Sequence, residues 1–141
     1  EFLVGIVSTQ TVSTQDEIGG IANGYGYYGN NGYQRTNNGS SSYGDAFTED
    51  DIIGIYLDLD NNKLYFAKNG TIQNSGTGIS ITAAASTVLG NYFFGASFWS
   101  SSTTGTMEIN FGNPVSALSS AVADANGYGS FEYDPSAGLC R

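Results

Sequence analysis

The sequence contains no histidine, a single cysteine and only four Lys or Arg against thirteen Asp or Glu. Without an imidazole, Ser-His-Asp and Cys-His nucleophile arrangements and His-ligated metal centres are excluded. Cys140 can form no internal disulfide, and with no histidine to activate its thiol it reads as a small apolar residue. The formal charge of -9 repels a phosphate backbone, so no nucleic-acid partner is expected. No apolar run approaches the roughly 18–20 residues of a membrane-spanning helix, so no membrane insertion is expected either. The opening EFLVGIVSTQ is too short for a signal peptide and lacks its basic segment. A chain that starts at Glu1 without methionine and stops at Arg141 is expected to have flanks not present here.

What is present points to one folded domain. At 141 residues, 40% hydrophobic and 13% aromatic, the chain is long enough to bury a core and too rich in aromatics to stay disordered. Apolar residues alternate at period two in short runs separated by Gly, Asn and Ser, the pattern of an antiparallel sandwich or barrel. Strands are predicted at 1–7, 51–60, 63–70, 78–82, 91–99 and 106–111. In DIIGIYLDLD, Ile53, Ile55, Leu57 and Leu59 share one face, with Ile52, Tyr56 and Asp58 opposite; Leu64 and Phe66 continue the inward face. Asn61-Asn62 and Asn69-Gly70 suit turns, because both residue types tolerate positive φ. Met107, Ile109 and Phe111 point one way and Glu108 and Asn110 the other. The stretch 83–90 is either one helical turn or a loop, and 116–129 reads as a polar loop.

The stretch GYGYYGNNGYQRTNNGSSSYGD at 24–45 occurs once and not periodically, so it reads as part of the domain and not as a fibre repeat. Tyr25, Tyr27, Tyr28 and Tyr33, with Arg35 and several Asn side chains, have a paratope's composition of rigid amphipathic rings and adaptable amides. They are candidate ligand-binding residues, and Trp99, at the end of a predicted strand, is a sixth. The competing reading places one or two of the tyrosines, and Trp99, in the core.

Taken in order, Val4-Gly5-Ile6, the tyrosine and glycine stretch from Gly24 to Tyr33, Asp51 to Asp60, Lys63 to Gly70, Tyr92 to Ser97 and Ile109 to Gly112 resemble the SPRY (B30.2-like) domain. The hairpin IIGIYLDLDNNKLYFAKNG is the most specific part. The resemblance implies an all-β, lectin-like antiparallel β-sandwich over 1–113, with 114–141 as a C-terminal extension packing on it. The tail, through Asn110-Phe111-Gly112, Phe131, Tyr133, Pro135, Gly138 and Leu139, further resembles one that follows SPRY-like domains in tailed-phage and other viral structural proteins. The family's upstream "WY.E" strands have no counterpart here. Either they lie in sequence not seen or the sandwich exposes an edge for a neighbour to pair with.

Other constellations are weaker. Asp58, Asp60 and Asn62 stand at the first, third and fifth positions of an EF-hand-like loop, but Lys63 and Asn69 occupy its glycine and glutamate positions, so no metal is expected. Glu49, Asp50 and Asp51 crowd before a strand as a glycosidase pair would, yet an E-x-D-x-x-E signature is missing, and a solvated acidic loop is the better reading. Asn38-Gly39-Ser40 and Asn69-Gly70-Thr71 match the N-glycosylation acceptor pattern. The resemblance implies a recognition domain without enzymatic activity or cofactor, on a virion surface or in another extracellular setting. Its implied partners are a host surface glycan or protein, or other virion proteins within a larger or oligomeric assembly. A decoration protein without receptor and a glycan-cleaving sandwich enzyme are the alternatives.

Overall fold

The computed structural model describes residues 2–9, 17–98 and 105–135. The chain forms two compact units, residues 1–103 and 104–141. Strands of the first are β1 (Phe2–Val7), β2 (Tyr25–Tyr28), β3 (Tyr33–Thr36), β4 (Gly39–Ser42), β5 (Ile53–Asp58), β6 (Lys63–Lys68), β7 (Thr71–Ile72), β8 (Ile79–Ser80) and β9 (Phe93–Phe98). They make a five-stranded antiparallel sheet, order β4-β3-β2-β1-β9, and a four-stranded one, β5-β6-β7 with β8 also on β6.

The core between the sheets follows from the period-two pattern. Val4 and Ile6 of β1 and Tyr25 and Tyr27 of β2 meet Leu64 and Phe66 of β6, with Tyr43, Ile79 and Ile81 completing the cluster. Ile53, Ile55 and Leu57 of β5 pack against it from the edge, as their alternation predicts. Leu59, expected on the same face, instead lies in the four-residue turn 59–62 and is half exposed, since Asp58 already pairs with Lys63. Asn62 supplies the positive φ of 53° in that turn and Asn69 one of 48° in the next.

The opposite face of the five-stranded sheet is built differently. Gly5 of β1 faces Gly26 of β2 and Gly95 of β9, so three glycines form a row across the strands. A Cβ on Gly5 would stand 2.0 Å from the Tyr25 carbonyl oxygen, and one on Gly26 would stand 2.9 Å from that of Ile18. The segment 17–20 crosses this row. Ile18 lays its side chain over the bare backbone and its N–H donates to Ser97 Oγ at 3.2 Å. Glu17, almost wholly buried, pairs with Arg35, whose Nη2 also donates to Asn38 Oδ1 at 3.0 Å.

Two differences from the sequence reading stand out, and one open alternative is resolved. The stretch 24–45, outside the predicted strands, holds three, and β3 (YQRT) and β4 (GSSS) gain their order from backbone pairing and carry no apolar stripe. The segment 83–90 contains a single 3-10 turn at Ala84–Ser86 followed by a turn. The predicted strand 106–111 is absent: in the second unit that segment is irregular, and Met107, Ile109 and Phe111 are exposed. It is tied through the Asn110 side chain, whose Nδ2 donates to the Ser130 carbonyl at 2.9 Å, and through Gly112, which accepts from Ser130 N–H. The only regular pairing described there is β10 (Val122–Ala123), inside the stretch read as loop, with β11 (Ser130–Phe131), just past its end.

Candidate functional site

The structure separates the candidate tyrosines. Tyr27 is fully buried, its ring centroid 5.1 Å from those of Phe47 and Phe66 and 5.7 Å from that of Tyr43. Its hydroxyl donates to the Asp45 carbonyl. Burial, reinforced by the nearby Asp45 carboxylate, pushes its pKa up to about 12. Tyr25 is buried too, and its hydroxyl accepts from the Thr82 N–H at 2.9 Å. Tyr92, whose ring meets Tyr25 edge-on at 6.1 Å, donates to the Thr82 carbonyl at 2.7 Å. These two candidates, Tyr25 and Tyr27, are therefore corrected from surface to core: an inward position on β2 gives their rings to the sandwich. Trp99 lies outside the described residues.

Tyr28 and Tyr33 remain, flanking the turn 29–32 that joins β2 to β3. Tyr33 is 40% exposed, and Asn30 and Asn31 are exposed between them. The turn is held rigidly. Gly32 N–H donates to the Tyr28 carbonyl at 2.8 Å, Gly29 N–H to that of Phe2 at 2.9 Å, and Phe47 N–H to that of Gly29 at 2.8 Å. Gly32, at φ +72°, lies so close to Gly44 that a Cβ would stand 2.1 Å from its carbonyl oxygen. Arg35 lies one row along the outer face, engaged by Glu17 and Asn38.

The register brings a further aromatic to this end that the sequence reading did not single out. Phe98, the last residue of β9, pairs with Phe2 across the ladder and stacks on its ring at 4.9 Å, yet stays 43% exposed. Phe94, two turns of the pleat away on the same edge strand, is also half exposed. The signal available in the sequence was the alternation in NYFFGASF; what it lacked was that β9 would be a sheet edge.

Carboxylates are spread differently from those of a hydrolytic pair. Asp51 accepts from Thr48 N–H at 2.8 Å and from Asn69 Nδ2 at 2.7 Å, and pairs with Lys68 at 3.2 Å; these contacts, in that order, hold its pKa below the usual carboxylate value. Asp58 is lowered likewise by the Asn61 side chain and N–H. Both serve turns. Among the described residues no group of three or more His, Cys, Asp or Glu is placed to hold a metal ion.

The sequence profile of the SPRY domain matches residues 1–113. The chain is 39% identical over 64 residues to the ATP-dependent RNA helicase DDX1 of Xenopus laevis, a match covering 45% of this chain and 8% of that protein. Ran-binding protein 9 of Xenopus tropicalis is 35% identical over 65 residues, and Ran-binding protein 10 of Danio rerio the same, covering 45% of this chain and 12% and 11% of those proteins. The matched segment thus spans about a tenth of the length of these relatives. With the profile covering the whole described part of the first unit, and the two-sheet sandwich bearing out its all-β expectation, the chain belongs to the SPRY domain family.

Proposed function

We propose that the chain is a recognition module that binds a protein partner through the sandwich end carrying Tyr28, Asn30, Asn31, Tyr33 and Phe98, and that it has no catalytic role. The observation that carries this reading is Tyr33, 40% exposed beside a polar turn whose backbone is fixed by main-chain bonds, with Phe98 half exposed at the same end of the sheet three strands away. Aromatic rings that are already immobile lose little entropy on contact, and adjacent amides supply adaptable hydrogen bonds. The names of the Ran-binding relatives, as proteins that bind another protein, agree with it. The finer reading, a virion surface or appendage protein whose partner is a host surface molecule or a virion neighbour, is supported by the tail pattern from Asn110-Phe111-Gly112 to Leu139 in the sequence.

The test is a quantitative pull-down with the immobilised chain on host-cell extract and, in parallel, on extracted surface polysaccharide. Wild type is compared with a Tyr28→Ala, Tyr33→Ala double variant of verified fold. Proteins retained by wild type and lost from the variant support the reading. Retention of polysaccharide alone overturns the protein-partner assignment, and unchanged retention by the variant overturns the surface.

A further inference from the structure

The opposite end of the sandwich carries an exposed apolar tip that the fold itself does not use. Val88 is 91% exposed and Leu89 42% exposed, and they are the two central residues of a turn closed by Gly90 N–H donating to the Thr87 carbonyl at 3.3 Å. Gly90 supplies the positive φ of 70°. The loop behind the tip is pinned at both ends. At its start, Ile81 N–H donates to the Asn62 carbonyl at 3.0 Å; at its close, Tyr92 donates to that of Thr82. In the middle Thr87, itself buried, donates through Oγ1 to the Ala84 carbonyl at 2.7 Å and through N–H at 3.0 Å, capping the 3-10 turn. The tip is thus presented by a fixed scaffold.

The strand registers put this tip at the same end as the 59–62 turn. Ser80 pairs with Lys63 and Ile81 is bonded to Asn62, so the chain enters the tip loop directly beside that turn. There Leu59 adds another half-exposed aliphatic side chain, and Asp58 and Asp60 add negative charge. The cation alongside them, Lys63, is directed to Ser80 Oγ at 2.8 Å. Beyond the amides Asn23, Asn37 and Asn38, the other charges near this end, Arg35 and Glu17, neutralise one another as an ion pair, with Arg35 also donating to Asn38 Oδ1 at 3.0 Å.

We propose that the end formed by Val88, Leu89, Leu59, Asp58 and Asp60 is a second docking surface, separate from the tyrosine end, for a protein segment that bears an apolar side chain flanked by Lys or Arg. The chemistry selects that occupant. Aliphatic tips offer no ring for a sugar to stack on, and the acidic side chains of this end within a chain of charge -9 repel both phosphate backbones and anionic lipid. Aliphatic groups displayed on a rigid loop bind with little ordering cost, and the carboxylates beside them favour a basic flank.

The experiment selects a displayed library of random dodecapeptides on the full chain, then measures the affinity of enriched peptides by fluorescence anisotropy for wild type and variants. Enriched sequences carry an aliphatic or aromatic residue beside Lys or Arg. Val88→Asp, at a side chain 91% exposed, weakens them by about tenfold or more, Asp60→Lys weakens the basic ones, and Tyr33→Ala leaves them unchanged. Enrichment of peptides without basic residues, or binding that survives Val88→Asp, overturns the proposal. Peptides lost with Tyr33→Ala and kept with Val88→Asp overturn it while supporting the tyrosine surface.

Discussion

Substitutions at Tyr27 and Tyr33, six residues apart in one stretch, test whether the inward and outward tyrosines differ as the structure requires. Tyr27→Ala removes a ring enclosed by Tyr43, Phe47 and Phe66, a cavity-forming change that costs about 3–5 kcal/mol. It also leaves the Asp45 carbonyl without its donor, adding roughly 1 kcal/mol. Tyr27→Phe keeps the ring and loses only the hydroxyl bond, so about 1–2 kcal/mol is expected. Tyr33→Ala deletes a ring that is 40% exposed, and the expected cost stays below about 1 kcal/mol. The assay is urea unfolding followed by circular dichroism, with the shift in midpoint converted through a common slope. The order Tyr27→Ala, then Tyr27→Phe, then Tyr33→Ala is the required result. A Tyr33→Ala variant as unstable as Tyr27→Ala, or a Tyr27→Ala variant within about 1 kcal/mol of wild type, would refute the placement of these rings.

Further predictions concern pH and glycine. Because the folded Tyr27 has its pKa raised from 10.0 to about 12, the stabilising effect of its neutral hydroxyl is complete below pH 10 and is lost as pH rises towards 12; alkaline titration of Tyr27→Phe should lack this component. Asp51, held below 3.8, contributes stability that is present above that pH and lost as pH falls through its folded value; acid unfolding of Asp51→Asn should start from a lower plateau and depend less on pH. Gly5→Ala forces a methyl to 2.0 Å from the Tyr25 carbonyl oxygen and should cost more than about 3 kcal/mol in thermal unfolding. Gly76→Ala, at φ +79° with nothing within 4 Å, should cost only about 1–2 kcal/mol. Thr87→Val removes the hydroxyl bond to Ala84; hydrogen exchange of the 83–90 amides should quicken while the midpoint of unfolding moves by the equivalent of about 1–2 kcal/mol.

How much was legible in the sequence depended on where each strand's order comes from. β5 and β6 turn apolar side chains to the core at alternate positions, so period two in IGIYLD and KLYFAK identified them and the inward residues Leu64 and Phe66, while β1, buried on both faces, was legible as the short apolar run FLVGIV. β3 and β4 are held by backbone pairing at the sheet margin, and their polar sequences carry no such mark. The segment 106–111 shows the converse: alternation in Met107, Ile109 and Phe111 records a face able to be buried, but a strand also needs a neighbour to bond with, and the described residues provide Asn110 side-chain and Gly112 contacts in its place. At the candidate site, composition found the tyrosines without their facing. Alternate positions of YGYY go to opposite sides, so a run of similar rings is divided between core and surface by parity alone. Val88 and Leu89 escaped notice because two aliphatic residues in a short loop look the same whether they turn inward or outward.

The glycine row Gly95-Gly5-Gly26 beneath Ile18 bears on how relatives of this chain should be compared. Those positions are far apart along the chain yet lie under one segment: a Cβ at Gly5 or Gly26 would run into backbone, at 2.0 and 2.9 Å, and one at Gly95 would press on Ile18 Cδ1 at 3.3 Å. They should resist change together, alongside an aliphatic residue at 18 and opposite charges at 17 and 35. An invariant set of that kind resembles the imprint of a bound ligand. Here it marks a joint internal to the domain, and the search for partner-reading residues belongs at the two ends of the sandwich.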